Sequence, residues 1–307
     1  MNVLIVNNLG AGLRDGAIFD FMRTLSTDGD QIVIRNTDGT TPIESFLEDR
    51  DSYDLVVAAG GDGTVSTVLY ALRNTGIPVL PFPAGTGNLL ATNLDQPDEP
   101  FALAKMVRMP YRLNFDLGEL SYEDNGSPIT KGFVMIAGAG YDASIMESSE
   151  RLKETLGPMA YVAAALGNPN PTVARFTLTL DNKVVQSEGI AVLVLNFAKV
   201  YPDISITHAN DARDGLLEIV VIKTHNTVEL LPAFIAAFLD RAGGFPGRTN
   251  ALEMYTSKSI HVETDPPLRI QYDGEPTGTT TPFTARILPH AATLVLTEAE
   301  YTRTLDA

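Results

Sequence analysis

Leu55-Val56-Val57-Ala58-Ala59-Gly60-Gly61-Asp62-Gly63-Thr64-Val65 joins an unbroken apolar run to a glycine-flanked aspartate and a threonine. Five consecutive apolar residues bounded by turn formers suit a strand buried on both faces, as in a parallel sheet covered by helices. Val65, Val68, Leu69 and Leu72 follow at helical spacing, with Thr64 predicted to open the helix and Asn74-Thr75-Gly76 to stop it. Asp62 is thereby placed in a strand-to-helix turn. At the carboxyl edge of a parallel sheet, the free N–H groups of a helix N-terminus attract phosphate, whereas an aspartate repels it unless a cation intervenes. The stretch therefore predicts a phosphate cradle that works with magnesium.

A second loop of the same kind follows one crossover later. Ile77-Pro78-Val79-Leu80-Pro81-Phe82 leads into Pro83-Ala84-Gly85-Thr86-Gly87-Asn88 and the helix-compatible Leu89 to Leu94. Parallel strands put both loops on one edge of the sheet. Together they offer amides and hydroxyls to a polyphosphate without a Walker lysine, and no G-x-x-x-x-G-K-[ST] string occurs in the chain. Either loop alone reads equally well as a tight turn between strand and helix.

Composition sets the outer bounds. With 307 residues, 44% of them hydrophobic, the chain is long enough for a large core and two domains. It has no cysteine, so disulfides and thiolate metal sites are excluded. His208, His225, His261 and His290 show no ligand spacing. Met1 runs straight into a predicted strand and no apolar run approaches 18 residues, so the expectation is a soluble, cytoplasmic protein with no transmembrane segment. A net charge of −16 argues against nucleic acid as a partner and against simple adhesion to anionic membranes.

The two halves differ in texture. Up to about Arg112 apolar strands (Val3 to Asn7, Gln31 to Arg35) alternate with helical stretches (Ala17 to Leu25, Ile43 to Arg50), which reads as α/β. From Leu113 onward short strands dominate: Leu113 to Leu117, Phe133 to Ala137, Phe176 to Leu180, Ile190 to Leu195, Leu216 to Ile222, Ile260 to Val262, Leu268 to Tyr272 and Phe283 to Leu288. That pattern suggests an antiparallel sandwich. Helical insertions are expected at Ser144 to Leu156, Met159 to Leu166 and Val228 to Leu239, the last apolar enough to pack internally or line an acceptor cleft.

Taken in order, Val3-Leu4-Ile5-Val6-Asn7, Gly60-Gly61-Asp62-Gly63-Thr64, Pro83-Ala84-Gly85-Thr86-Gly87-Asn88, Ala137 to Ala143, Asp214-Gly215-Leu216 and Asp273-Gly274-Glu275 give a pattern that resembles the catalytic domain of diacylglycerol, sphingosine and ceramide kinases and of bacterial lipid kinases. The resemblance covers nearly the whole chain. It implies an α/β nucleotide-binding domain of NAD kinase and phosphofructokinase type over 1–112, a mainly antiparallel β-sandwich acceptor-binding domain over 113–290, and a C-terminal segment, 291–307, packed back on the first. The implied activity is transfer of the γ-phosphoryl group of ATP, with magnesium, to a lipid hydroxyl, diacylglycerol being the default acceptor. The lipid is expected at the membrane surface or in the inter-domain cleft, with the protein transiently peripheral, and a homodimer is compatible with the pattern.

Residue roles follow from the same resemblance. Asp62 is the candidate for holding magnesium on the ATP phosphates. Gly60, Gly61, Gly63, Thr64, Gly85, Thr86, Gly87 and Asn88 form the nucleotide cradle, and Thr37 is a further nucleotide contact. Glu275 is the proton acceptor, with Asp273 supporting it or the metal. Asp116 matches an aspartate that belongs to the same acidic network or stands as a strand-edge residue. Asp211, Asp214 and Leu216 occupy the positions of a second, structural magnesium, and Asp214-Gly215 reads equally as a plain turn.

Departures from the pattern bear on substrate. The first loop usually carries Asn-Pro-x-Ser-Gly, and here Asn7-Asn8-Leu9-Gly10-Ala11-Gly12 lacks the proline and serine. Leu89 stands where an acidic residue is common, Thr92 where a basic one is usual, and basic interfacial residues are scarce. Three other readings remain open. One is a kinase on a soluble acceptor such as NAD, and a second is a noncatalytic nucleotide or lipid sensor. The third is a nicotinamide oxidoreductase, since Gly10, Gly12 and Gly16 follow a strand and Gly138-Ala139-Gly140-Tyr141-Asp142-Ala143 fits G-x-G-x-x-A.

Overall fold

Val3 to Val6 and Leu55 to Ala59 are fully buried, as a strand with helices on both faces requires. The computed structural model describes residues 1–11, 16–26, 29–85, 87–140, 171–197, 199–201, 204–205, 211–223 and 252–306. In chain order the first elements are β1 (Asn2–Asn8), α1 (Ala17–Ser26), β2 (Gln31–Thr37), β3 (Leu55–Gly60), α2 (Asp62–Ala71), β4 (Pro78–Pro83), α3 (Leu89–Asn93) and α4 (Pro100–Arg108). Strands follow: β5 (Arg112–Asp124), β6 (Ser127–Phe133), β7 (Ile136–Gly140), β8 (Ala174–Leu180), β9 (Lys183–Gly189) and β10 (Ala191–Leu195). Then come β11 (Lys199–Tyr201), β12 (Ile204–Ser205), β13 (Leu217–Ile222), β14 (Leu252–Ser257), β15 (Ser259–Asp265), β16 (Arg269–Tyr272), β17 (Glu275–Thr280), β18 (Phe283–Val295) and the terminal helix α5 (Glu298–Asp306).

These elements divide into two units. The first comprises Met1–Leu117, Asp211–Asp214 and Leu288–Ala307; the second comprises Gly118–Asn210 and Gly215–Ile287. In the first unit β2, β1, β3 and β4 lie side by side and parallel, and Thr293 and Leu294 at the end of β18 continue the sheet beside Pro78 and Val79. The core below it gathers Val3, Ile5, Phe21, Leu55, Val57, Leu80, Phe82, Leu103 and Val107. Phe21 meets Phe82 edge-on with centroids 5.5 Å apart, which fixes α1 against β4.

The second unit is an antiparallel sandwich. One layer runs β18, β15, β8, β9 together with the β5/β6 hairpin, and the other runs β14, β13, β10, β7, β16, β17. Leu120, Phe133, Phe176 and Leu178 from the first layer share one core with Val192, Val194, Ile219, Val221 and Ile270 from the second. The α/β and antiparallel-sandwich fold classes read from the sequence are the ones observed.

Several expected boundaries move. The helix α2 opens at Asp62 with Gly61 as its cap, two residues before Thr64, so Asp62 belongs to the first helical turn. Ile43–Leu47 and Arg50–Ser52 are two short 3-10 turns rather than one helix. The expected strand Phe133 to Ala137 is two strands, because β6 ends at Phe133 and β7 begins at Ile136. Gly138 and Gly140 lie inside β7 against β10, where an added Cβ would come within 2.5 Å of the Val192 oxygen and 2.3 Å of the Ile190 oxygen. They serve strand approach, so the G-x-G-x-x-A reading as a dinucleotide turn is withdrawn. The helical insertions expected at 144–156, 159–166 and 228–239 lie outside the described residues.

Candidate active site

The carboxyl ends of β1, β2, β3 and β4 share one edge of the parallel sheet of the first unit. Gly60 ends β3, and its oxygen accepts the Ala84 N–H at 3.2 Å, tying the loop after β4 to the loop after β3. Both loops depend on absent side chains. A Cβ on Gly85 would lie 2.4 Å from the Gly61 Cα and one on Gly60 2.6 Å from the Thr64 side chain. Two backbones in such contact leave a shallow surface of peptide groups, and α2 adds the first N–H groups of a helix, which have no partner within it.

Asp62 is the pin of this arrangement. Its Oδ2 accepts the Leu89 N–H at 3.0 Å and its Oδ1 the Leu90 N–H at 2.9 Å, so the aspartate of one loop caps the helix that follows the other. Asn88 has φ 47° and closes the second loop on itself. Its Oδ1 accepts from the Gly85 N–H at 2.9 Å, and its Nδ2 donates to the Gly85 oxygen at 2.7 Å. Thr37 ends β2 opposite Asn8 and is half-buried. The turn after it is shaped by Asp38, whose carboxylate accepts the Thr41 N–H, the Thr41 hydroxyl and the Thr40 N–H. Those bonds hold the Asp38 carboxyl well below the usual range.

Asn8 also belongs to this cluster, though sequence reasoning passed over it. Its Nδ2 donates to Thr64 Oγ1 at 2.8 Å. The only signal in the sequence was an Asn-Asn pair at a strand end. The cluster therefore brings together Asn8, Gly60, Gly61, Asp62, Gly63, Thr64, Gly85, Gly87 and Asn88, with Thr37 on the same sheet edge; Thr86 lies outside the described residues.

In the second unit Asp273 and Gly274 form a two-residue turn with φ 42° and 84°, the primed geometry that suits a tight hairpin between β16 and β17. Asp273 is anchored on the break between β6 and β7. Its Oδ2 accepts the Val134 N–H at 2.7 Å, and its Oδ1 accepts the Met135 and Ile136 N–H groups, both at 2.9 Å. With three backbone N–H groups donating to it, the Asp273 carboxylate holds its turn in place. Glu275, the residue it presents, is exposed and pairs across the hairpin with Tyr272. Burial pushes the Tyr272 phenol up to about 12, with Tyr122, Glu275 and Asp273 adding to the effect.

Asp116 is buried in the first unit, where its Oδ1 accepts the His290 N–H at 2.6 Å and its own N–H donates to the Ala212 oxygen at 2.7 Å. It acts as a tie between segments of the first unit. Asp211 and Asp214 are exposed on a turn in which Asp211 Oδ1 accepts the Arg213 N–H at 3.0 Å. Leu216 leads into β13, and Asp214, Gly215 and Leu216 all take part in interactions of their own. Among the described residues no three acidic or histidine side chains converge as a metal cage.

Set beside known proteins, residues 2–120 match the family described as diacylglycerol kinase catalytic domain, and residues 135–296 match the family described as YegS C-terminal NAD kinase beta sandwich-like domain. A diacylglycerol kinase of Mycobacterium tuberculosis is 32% identical over 72% of this chain and 70% of its own length. An uncharacterized protein of Synechocystis is 31% identical over 78% of this chain, which spans only 54% of that relative's length. The fold is shared with a solved diacylglycerol kinase structure from Bacillus anthracis at a TM-score of 0.66, with 20% identity and 97% of each chain covered. It is shared more distantly with yeast NADH kinase complexed with NADH, at a TM-score of 0.56 and 12% identity, covering all of this chain and 86% of that one.

Proposed function

This chain belongs to the diacylglycerol kinase family, and from that premise we propose that it is an ATP- and magnesium-dependent lipid kinase whose default acceptor is the free hydroxyl of diacylglycerol. The observation that carries the reading is the Asp62 clasp, in which one carboxylate joins two glycine loops whose backbones touch. Phosphoryl transfer asks little covalent chemistry of a protein and a great deal of positioning. A cradle of peptide groups without side chains, held by hydrogen bonds that leave its outward face open, suits that demand. Gly60, Gly61, Gly63, Thr64, Gly85, Thr86, Gly87 and Asn88 form it in this proposal, with Thr37 contacting the nucleotide.

The residues present fit magnesium. Each Asp62 oxygen accepts one N–H and retains a lone pair, so Asp62 would hold the ion through an intervening water, consistent with reluctant dehydration. Magnesium, when bound, neutralises phosphate charge. Glu275 takes the proton from the acceptor hydroxyl, being exposed and unencumbered by the backbone bonds that occupy Asp273. Asp273 positions the turn. Asp211, Asp214 and Leu216 are proposed as a structural magnesium site through two main-chain oxygens and one carboxylate.

A sphingoid base, ceramide or polyprenol would meet the same chemistry as diacylglycerol. Phosphorylation of a soluble acceptor such as NAD is the second reading, favoured by the description of the matched sandwich family and by the likeness to NADH kinase. No helix among the described residues is long and apolar enough to cross a membrane. In this proposal the lipid acceptor is met by transient, peripheral contact. The test is an assay with radiolabelled ATP against total lipid extract and against NAD, with mass identification of the labelled product. Label in a lipid that partitions into organic solvent is expected. Label in NAD alone would replace the lipid reading by the second one, and no label in either would leave a sensor.

A further inference from the structure

Asn8 is the residue of the cluster whose role no family likeness supplies, and its hydrogen bonds have a defined polarity. The Gly10 N–H donates to Asn8 Oδ1 at 2.9 Å. That bond fixes which way round the amide sits, because the opposite orientation would set two donors against each other. Nδ2 is therefore the atom that faces Thr64, and it donates to Thr64 Oγ1 at 2.8 Å. A hydroxyl that accepts on its oxygen still has its own hydrogen to place. Thr64 is only 9% exposed, and among the described residues its hydrogen has no acceptor. A buried hydroxyl with an unplaced hydrogen at the first turn of a helix, beside two glycine loops, is poised for an anionic oxygen.

We propose that Asn8 is a positioning residue that sets the polarity of the Thr64 hydroxyl, committing it to donate its hydrogen to a nucleotide phosphate oxygen. The inference rests on the nucleotide-site reading above and assigns to it a residue that lies at a departure from the family pattern. Without Asn8 the Thr64 hydroxyl is free to rotate, and part of its population turns away from the phosphate. With a carboxylate at position 8 the hydroxyl is drawn the wrong way, since the carboxylate can only accept, and the phosphate meets a like charge.

The experiment is a double-mutant cycle read as the dissociation constant of ATP by calorimetry, with the melting temperature of each unliganded variant as the control for folding. Asn8→Asp is expected to weaken ATP binding about tenfold or more, the scale of a hydrogen bond to a charged group. Asn8→Ala is expected to weaken it less, and to have no further effect once Thr64→Val has removed the hydroxyl. A loss on Asn8→Ala that persists undiminished in the Thr64→Val background would overturn the proposal, because a merely structural role does not depend on that hydroxyl. Should Asn8→Asp melt early, the Asn8→Ala arm of the cycle still decides. If Thr64→Val and Asp62→Asn leave ATP binding at the parental value, the nucleotide reading itself fails. If they weaken it and Asn8→Ala and Asn8→Asp do not, only the present inference fails.

Discussion

In the proposed site Asp62 has two duties, and an isosteric substitution touches both. As the proposed partner for magnesium it would contribute charge; as a cap it receives the Leu89 and Leu90 N–H groups. Asp62→Asn removes the charge and turns one acceptor into a donor, leaving a backbone N–H facing an NH2 group at a cost of roughly 1–3 kcal/mol. Turnover is expected to fall by more than a hundredfold, with a drop of a few degrees in melting temperature, when both are followed across magnesium concentrations. Near-parental turnover at any magnesium level would remove Asp62 from the chemistry and leave it only its cap. For Glu275, the proposed general base, which is exposed and caps no helix among the described residues, Glu275→Gln should slow transfer by about 10²–10⁴-fold, the usual contribution of such a base, while ATP binding holds. Calorimetry with ATP and single-turnover kinetics separate the two effects. Collapse of ATP affinity with transfer intact would place Glu275 at the nucleotide and the proton acceptor elsewhere.

At the scale of elements, the two glycine loops differ in what each glycine is for. Gly85 touches the Gly61 backbone so closely that a Cβ on it has nowhere to go, whereas a Cβ on Gly61 would stand 3.6 Å from the Gly85 Cα, an ordinary contact. Gly85→Ala is therefore expected to lower both melting temperature and ATP affinity, with about 1–3 kcal/mol of strain in a packed site. Gly61→Ala is expected to keep its melting temperature and lose ATP affinity, because there the small side chain matters only to an approaching phosphate. Parental ATP affinity in Gly61→Ala would show that the ligand does not come near this backbone. The strands β1, β3 and β4 were legible as buried apolar runs, but β6, β9, β14 and β17 were not. Glu275-Pro276-Thr277-Gly278-Thr279-Thr280 has the composition of a turn and is a strand only because β16 offers it backbone partners. The strands β9, β14 and β17 lie at the edges of their layers, where one neighbour suffices and little side-chain burial is needed to hold the strand.

For the whole molecule, the net charge of −16 bears on the proposed encounter with a lipid substrate. Basic residues near a membrane each supply about 1 kcal/mol of attraction to anionic lipid, and this chain has an excess of the opposite sign. Activity on lipid in neutral detergent micelles is expected to exceed activity in anionic vesicles, with added salt narrowing the gap as the screening length shrinks to about 10 Å at 0.1 M. Tight sedimentation with anionic vesicles at low salt, lost as salt rises, would reveal a clustered basic face and reverse this expectation. The sequence by itself determined the α/β and sandwich classes, the two glycine loops and the late Asp273-Gly274-Glu275 turn, because apolar runs and turn formers act on their near neighbours. Only the tertiary structure decided what the polar side chains hold. Asp62 reaches 27 residues to Leu89, Asn8 reaches 56 to Thr64, and Asp273 reaches 139 to Val134. A hydrogen bond is specified by where two chain segments meet in space, and no local pattern of residues records that distance.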